Sequence, residues 1–164
     1  MLEAAILEYL GRIRQGSLTD EESREQQKLM TATVQLKGLA DVVAGDLLEL
    51  AGSARDLRTE PGDEITGLLE GLYEAVSRAV RLAVKAVREG DASPAREVVG
   101  MRETIRAEAE ELLARQAEKL QGDAPEYLRR VRVRMSFVDQ MRRIYTLARR
   151  VAEVVLPQAL VRPG

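Results

Sequence analysis

Apolar and polar residues alternate along this chain with the period of an α-helix. Apolar side chains recur every three or four positions in segments at about 2–15, 20–57, 64–89, 94–121 and 124–156. Gly, Pro, Ser and Thr residues separate the segments, and the two-residue period of a strand is missing from the sequence pattern. The pattern predicts an all-α protein, an elongated antiparallel bundle of about five helices joined by short turns.

The second segment has the longest regular apolar pattern. An unbroken alternation of four- and three-residue steps predicts its buried face, which consists of Leu29, Thr33, Leu36, Ala40, Val43, Leu47, Leu50, Ala54 and Leu57. Gly38, Gly45 and Gly52 recur every seven residues on a neighbouring face. Because a glycine inside a helix costs about 1 kcal/mol relative to alanine, this spacing indicates close helix packing. A chance distribution on an exposed surface is the alternative.

Three local signals predict where helices begin and end. Thr19 with Glu22 forms the sequence of a capping box at the start of the second helix. Gly90 is expected to end the third helix, and Ser93 with Pro94 to begin the fourth as N-cap and first helical residue.

The composition excludes several kinds of chemistry. The chain has no Cys and no His, so thiolate nucleophiles, Cys-based zinc sites, imidazole bases and His-ligated haem are excluded. Glycine-rich phosphate loops are also missing from the sequence. The sequence therefore predicts a protein that is not an enzyme and holds no cofactor. No apolar run reaches the ~18 residues of a membrane span, and the first residues lack the basic region of a signal peptide.

Charge is unevenly distributed, although the net charge is only −2. Residues 1–70 hold 14 acids and 7 bases, whereas residues 123–164 hold 4 acids and 9 bases, all of them Arg. The predicted interaction face consists of Arg129, Arg130, Arg132, Arg142, Arg143, Arg149 and Arg150. Its partner would be an anionic protein or lipid surface. Nucleic acid is disfavoured, because aromatic residues make up only 3% of the chain and the pI is about 5.5. Intramolecular pairing with the acidic second helix is the simpler interpretation of the same charges.

Carboxylates on the second helix are weak candidates for a metal site. Asp46 and Glu49 lie three residues apart, which places them on the same side of a helix. They flank the predicted apolar face rather than interrupting it, so a solvated or helix-pairing role is favoured and we predict no metal.

Several stretches resemble the PhoU-like helical domain, most closely the form attached to bacterial sodium/phosphate cotransporters. They are E8-Y-L-x-x-I13 followed by S17-L-T-D-E-E22, then A40-D-V-V-A-G-D-L-L-E49, and then Y127-L-R-R followed by D139-Q-M-R-R-I-Y-T-L-A-R-R-V-A-E153. In that family an acidic motif on each three-helix repeat supplies metal ligands. By position the ligands would be Val42 and Asp46 in the first copy and Arg142 and Thr146 in the second. Only Asp46 is a carboxylate, so a metal cluster of the family's kind is not expected.

The resemblance also implies a domain organisation and a function. Residues 1–58 would be a helical hairpin from an incomplete first repeat, residues 59–157 a second three-helix repeat, and residues 158–164 a tail. The implied protein is a non-catalytic regulatory or interaction domain for sodium-dependent phosphate uptake. It would lie in the cytoplasm at the inner face of the plasma membrane and contact a transporter domain or another protein, as a fragment of a longer chain.

Two other functions remain open at this point. One is a carboxylate metal-binding helical bundle. The other is a structural dimerisation module, in which the face of Gly38, Gly45 and Gly52 would form the seam of a homodimer.

Overall fold

Helices occupy nearly all of the chain that the computed structural model describes, which is residues 2–13, 18–55, 64–118 and 125–157. They are α1 (Leu2–Ile13), α2 (Asp20–Asp41), a π-helical segment (Val42–Leu47), α3 (Leu48–Arg55), α4 (Glu64–Glu89), α5 (Ala92–Gly100), α6 (Arg102–Glu118) and α7 (Pro125–Glu153). The all-α prediction is confirmed. The predicted break at residues 59–63, the seam residue Leu57 and the tail 158–164 lie outside the described residues.

These helices form five rods within the described ranges. The π-helical segment joins α2 to α3 in one continuous rod. At Met101, between α5 and α6, the backbone N–H still bonds to the carbonyl oxygens of Glu97 and Val98 at 3.1 and 3.2 Å. The helical path therefore continues through Met101, and α5 and α6 together form the single rod that the sequence predicts.

Helix α7 is the centre of the packing. It contacts α2, the π-helical segment, α3, α4, α5 and α6, and its interface with α4 is the most extensive. The α4 rod and the α5–α6 rod run antiparallel, since Arg78 of α4 pairs with Glu97 of α5 while Glu64 pairs with Arg115 of α6. Helices α4 and α7 run in the same direction, because Leu69 lies beside Val133 near the start of both helices, whereas Arg78 and Tyr145 further along both contact the 97–98 region of α5.

The core consists of the apolar faces of α4, α5, α6 and α7 with one face of α2. The apolar period of the third segment predicts a buried face on α4. Of the predicted residues Leu68 is half-buried, and the others are buried, namely Ile65, Leu72, Val76, Ala79, Ala83 and Ala86. At one end of the bundle the fully buried residues are mostly alanines: Ala79, Ala83, Ala86, Ala95, Ala148 and Ala152. Small side chains allow helix axes to approach closely where α4, α5 and α7 meet.

Two helix ends follow the predicted signals, and one differs. The Thr19–Glu22 capping box is present, and Gly90 ends α4 with φ +65°, so that the Asp91 N–H bonds to the Ala86 carbonyl at 3.1 Å. The N-cap of α5 is Asp91 rather than Ser93. The Asp91 carboxylate accepts from the Ser93 backbone N–H at 2.8 Å, and Pro94 follows within the first turn. A carboxylate directly after Gly90 caps the helix two residues earlier than the sequence indicates.

The predicted buried face of α2 is wrong by one position. The buried apolar residues are Ala32, Leu39 and Val42, next to the predicted Thr33, Ala40 and Val43. Of the predicted face, Leu36 is half-buried against the core. Leu29 and Val43 are each 44% exposed, and Ala40 is exposed. Apolar residues stand side by side at 39–40 and 42–43, so the helical period does not determine which residue of each pair faces the core. The contact of α2 with α7 determines it.

The π-helical segment restores the predicted face further along the rod. After Val42, the next residue packed on the core is Leu47, five positions on, and Leu50 is half-buried. Hydrogen bonds from i to i+5 accommodate a step of five residues that an α-helix does not. The side chain of Ala54, also predicted for this face, is outside the described part.

Candidate interaction surface on the arginine helix

Helix α7 carries eight arginines and three acids. The structure divides the seven predicted interaction residues into two sets. Arg130, Arg142 and Arg149 are half-buried beside the neighbouring helices, whereas four others are exposed: Arg129, Arg132, Arg143 and Arg150. We refer to these four as the arginine stripe.

The arginine stripe follows one side of the helix. Its members are separated by 3, 11 and 7 residues, which are close to one, three and two turns of 3.6 residues. At 1.5 Å per residue the stripe is about 32 Å long. The opposite side of α7 holds the buried Val138, Met141 and Ala148, so the stripe lies on the outer side because the apolar side is used by the core.

Ion pairs occupy part of this surface. Arg143 Nη1 lies 2.8 Å from Asp46 Oδ2 on the π-helical segment, and both side chains are substantially exposed. This contact is the predicted pairing with the acidic second helix. Arg149 pairs instead within α7, with Glu153 at 3.5 Å. Within the described residues, Arg132 and Arg150 have no ion-pair partner.

Two cations on α2 extend the stripe at its C-terminal end. Arg24 and Lys28 line a cavity of about 310 Å³ together with Arg150 and Glu153. Lys28 lies 3.6 Å from Glu25, and Arg24 has no ion pair in the described part of the chain. The cavity lining therefore holds three cations and one carboxylate, and Glu25 outside the lining offsets Lys28.

Sequence reasoning missed Arg24 and Lys28. Their one-turn spacing was a usable signal, but the net charge of the segment concealed it. Their relation to Arg150 depends on the pairing of α2 with α7, which the sequence does not specify.

The structure disperses the candidate metal ligands. The Asp46 carboxylate is already paired with Arg143, and Glu49 is exposed. Of the other positions that the family resemblance implies, Val42 is buried in the apolar core and the Thr146 hydroxyl donates to the Arg142 carbonyl at 2.8 Å. In the described ranges no three carboxylates come together in a group that could hold a metal ion.

The three glycines with heptad spacing have different surroundings. A Cβ atom at Gly38 would lie 3.7 Å from Leu147 Cδ2, so Gly38 faces α7. At Gly45 and Gly52 such an atom would meet no atom of the described residues within 4 Å, and both residues are exposed. Close helix packing inside the bundle is therefore wrong for Gly45 and Gly52, and packing against a second copy stays a prediction.

One buried polar group near the centre has a structural role. The Tyr145 hydroxyl donates to the Val98 carbonyl at 2.9 Å, which joins α7 to α5. Burial raises the pKa of this hydroxyl above its ordinary value, against the lowering effect of Arg149 and Arg102. A neutral, buried tyrosine of this kind acts as a hydrogen-bond donor rather than as a base.

Comparison of the chain with protein-family models, curated proteins and solved structures gives no match. Among the helices of the described ranges, none combines the length and apolarity needed to cross a bilayer.

Proposed function

We propose that this protein is a non-catalytic regulatory and interaction domain of PhoU-like type, associated with sodium-dependent phosphate transport. In this proposal it acts in the cytoplasm at the inner face of the plasma membrane, beside the transporter. The sequence resemblance described above and the all-helical bundle support the proposal, and the arginine stripe supplies the contact surface.

The observation that carries the proposal is the exposure of four arginines along about 32 Å of α7. Exposed guanidinium groups that lack an internal partner are available to phosphate and carboxylate oxygens. Arg132 and Arg150 meet this description, and Arg24, which has no ion pair among the described residues, lies beside Arg150. An anionic lipid surface or the acidic loops of a transporter present the complementary charge.

Phosphate uptake by intact cells tests this function. Deletion of the coding sequence should change the rate of sodium-driven uptake of radiolabelled phosphate. Restoring the gene with Arg132→Glu and Arg150→Glu should leave the rate as in the deletion strain.

The matched control reverses Arg96 and Arg102, which are exposed on α5 and α6 and lie outside the stripe. This variant should restore normal uptake. If deletion leaves sodium-driven uptake unchanged, the association with phosphate transport is wrong. If both double variants restore uptake equally, the stripe has no part in it.

A further inference from the structure

An apolar cavity lies where α3 diverges from the core. Its volume is about 430 Å³, within the range of small-molecule sites, and its walls come from the π-helical segment with α3, from α4 and from α7. Eight of the ten lining residues are apolar: four leucines, two valines, an alanine and a phenylalanine. The other two are Arg130 and Arg134.

The cavity has a local cause in the backbone. Up to Val42 the α2 rod is packed on α7, but the lining residues Leu47, at the end of the π-helical segment, and Leu50, on α3, are only half-buried. The segment shifts the apolar face of the rod and leaves space between α3 and α7. Short π-helical insertions of this kind occur frequently at functional sites.

Arg130 determines which ligand suits the cavity. It is half-buried on α7, whereas Arg134, one helical turn further on, already has an interaction partner. A guanidinium group keeps its charge at any accessible pH and binds a carboxylate through two parallel hydrogen bonds. A cavity with apolar walls and a fixed positive charge is complementary to an apolar molecule with an anionic end.

We propose that this cavity binds a single-chain carboxylate amphiphile, a fatty acid, with its chain against the leucines and its carboxylate at Arg130. The small volume favours one chain over the two chains of a phospholipid. The lining residues Val43 and Leu48 are 44% and 66% exposed and extend the apolar surface beyond the cavity, where a longer chain would continue. Binding of the fatty acid is non-covalent. Burial of its hydrocarbon chain and ion pairing of its carboxylate account for the affinity.

Isothermal titration calorimetry of the full-length protein with dodecanoate, at concentrations below the micellar range, tests this proposal. We expect saturable binding of one dodecanoate per chain, and binding of dodecan-1-ol weaker by about tenfold or more, because the alcohol lacks the charge. Arg130→Leu should weaken dodecanoate binding by about tenfold while leaving dodecan-1-ol unaffected. Arg132→Leu, two residues away on the exposed side of the same helix, is the matched control and should bind as the wild type does.

Variants that fill the cavity with a larger side chain provide a second part of the binding test. Ala51→Phe and, independently, Val133→Phe should abolish binding of both compounds while circular dichroism shows an unchanged helix content. If one variant fails to fold, the other decides.

Three results would overturn the proposal. They are the absence of saturable dodecanoate binding to the wild type, equal affinity for the acid and the alcohol, and equal loss in Arg130→Leu and Arg132→Leu. Self-association that excludes dodecanoate and is lost on Ala51→Phe would also overturn it, since a second copy would then occupy the cavity.

Discussion

At the scale of single residues, a buried polar group with a hydrogen-bond partner stabilises the core. Tyr145 is 6% exposed, and its hydroxyl meets the Val98 carbonyl, which a phenylalanine would leave without this donor. We expect Tyr145→Phe to lower the free energy of unfolding by about 1–2 kcal/mol. Tyr73→Phe is the control, because Tyr73 is 51% exposed and should cost little. Equal urea denaturation midpoints for the two variants would contradict this role.

The same residue predicts a dependence on alkaline pH. Burial raises the pKa of Tyr145 in the folded state, so the unfolded chain loses this proton first as the pH rises through about 10. The stability that the neutral hydroxyl contributes is complete below that pH and declines above it. The wild type should unfold at a higher temperature than Tyr145→Phe, and this difference in unfolding temperature should narrow between pH 9 and pH 11. A difference that stays constant would contradict a stabilising hydrogen bond from the neutral Tyr145 hydroxyl.

Helices differ in how far their sequences determine their packing. In α4 apolar residues also stand side by side, as at Leu68–Leu69 and Ala79–Val80, yet the predicted face is the one that the core buries, with Leu68 half-buried. In α2 two apolar residues stand together at Leu39–Ala40 and again at Val42–Val43, and both phases satisfy the period. Which of the two faces is buried depends on the packing against α7 and on the position of the π-helical segment. The pattern of apolar and polar residues encodes neither of these.

The candidate interaction surface on α7 could be predicted only in part from the sequence. The concentration of arginine on α7 is visible in the sequence, but the division into exposed and half-buried members depends on which side of α7 the core uses. The contribution of α2 to the same surface, through Arg24 and Lys28, arises only from tertiary packing.

One ion pair connects the π-helical segment with α7, and a double-mutant cycle measures it. Asp46→Ala and Arg143→Ala should show a coupling of about 0.2–1 kcal/mol, because exposed ion pairs are weakened by solvent and salt. The coupling should decrease at high ionic strength. A cycle of Asp41→Ala with Arg143→Ala is the control, since Asp41 pairs with Lys37 instead, and it should show no coupling. Equal coupling in the two cycles would exclude a specific contact.

The whole molecule has a stable centre and a loosely attached end. Helix α1 packs on α2, buries Leu10 alone among its residues, and is joined to α2 by a hydrogen bond from Gln26 to the Leu10 carbonyl. Helices α4 and α7 share the largest interface and most of the core. We expect backbone amides of α1 to exchange hydrogen well before those of α4 and α7, because little buried apolar surface opposes their opening. Protection of α1 equal to that of α4 would contradict this order of stability.

Across the whole molecule, the arginine stripe is the surface that we propose for anionic partners. Co-sedimentation with vesicles of phosphatidylglycerol and phosphatidylcholine is the most direct measurement. The wild type should bind anionic vesicles and not neutral ones, and increasing salt should release it. Arg132→Glu with Arg150→Glu should abolish binding, whereas Arg96→Glu with Arg102→Glu should retain it. Failure of the wild type to bind anionic vesicles, or equal losses in the two double variants, would contradict the central claim.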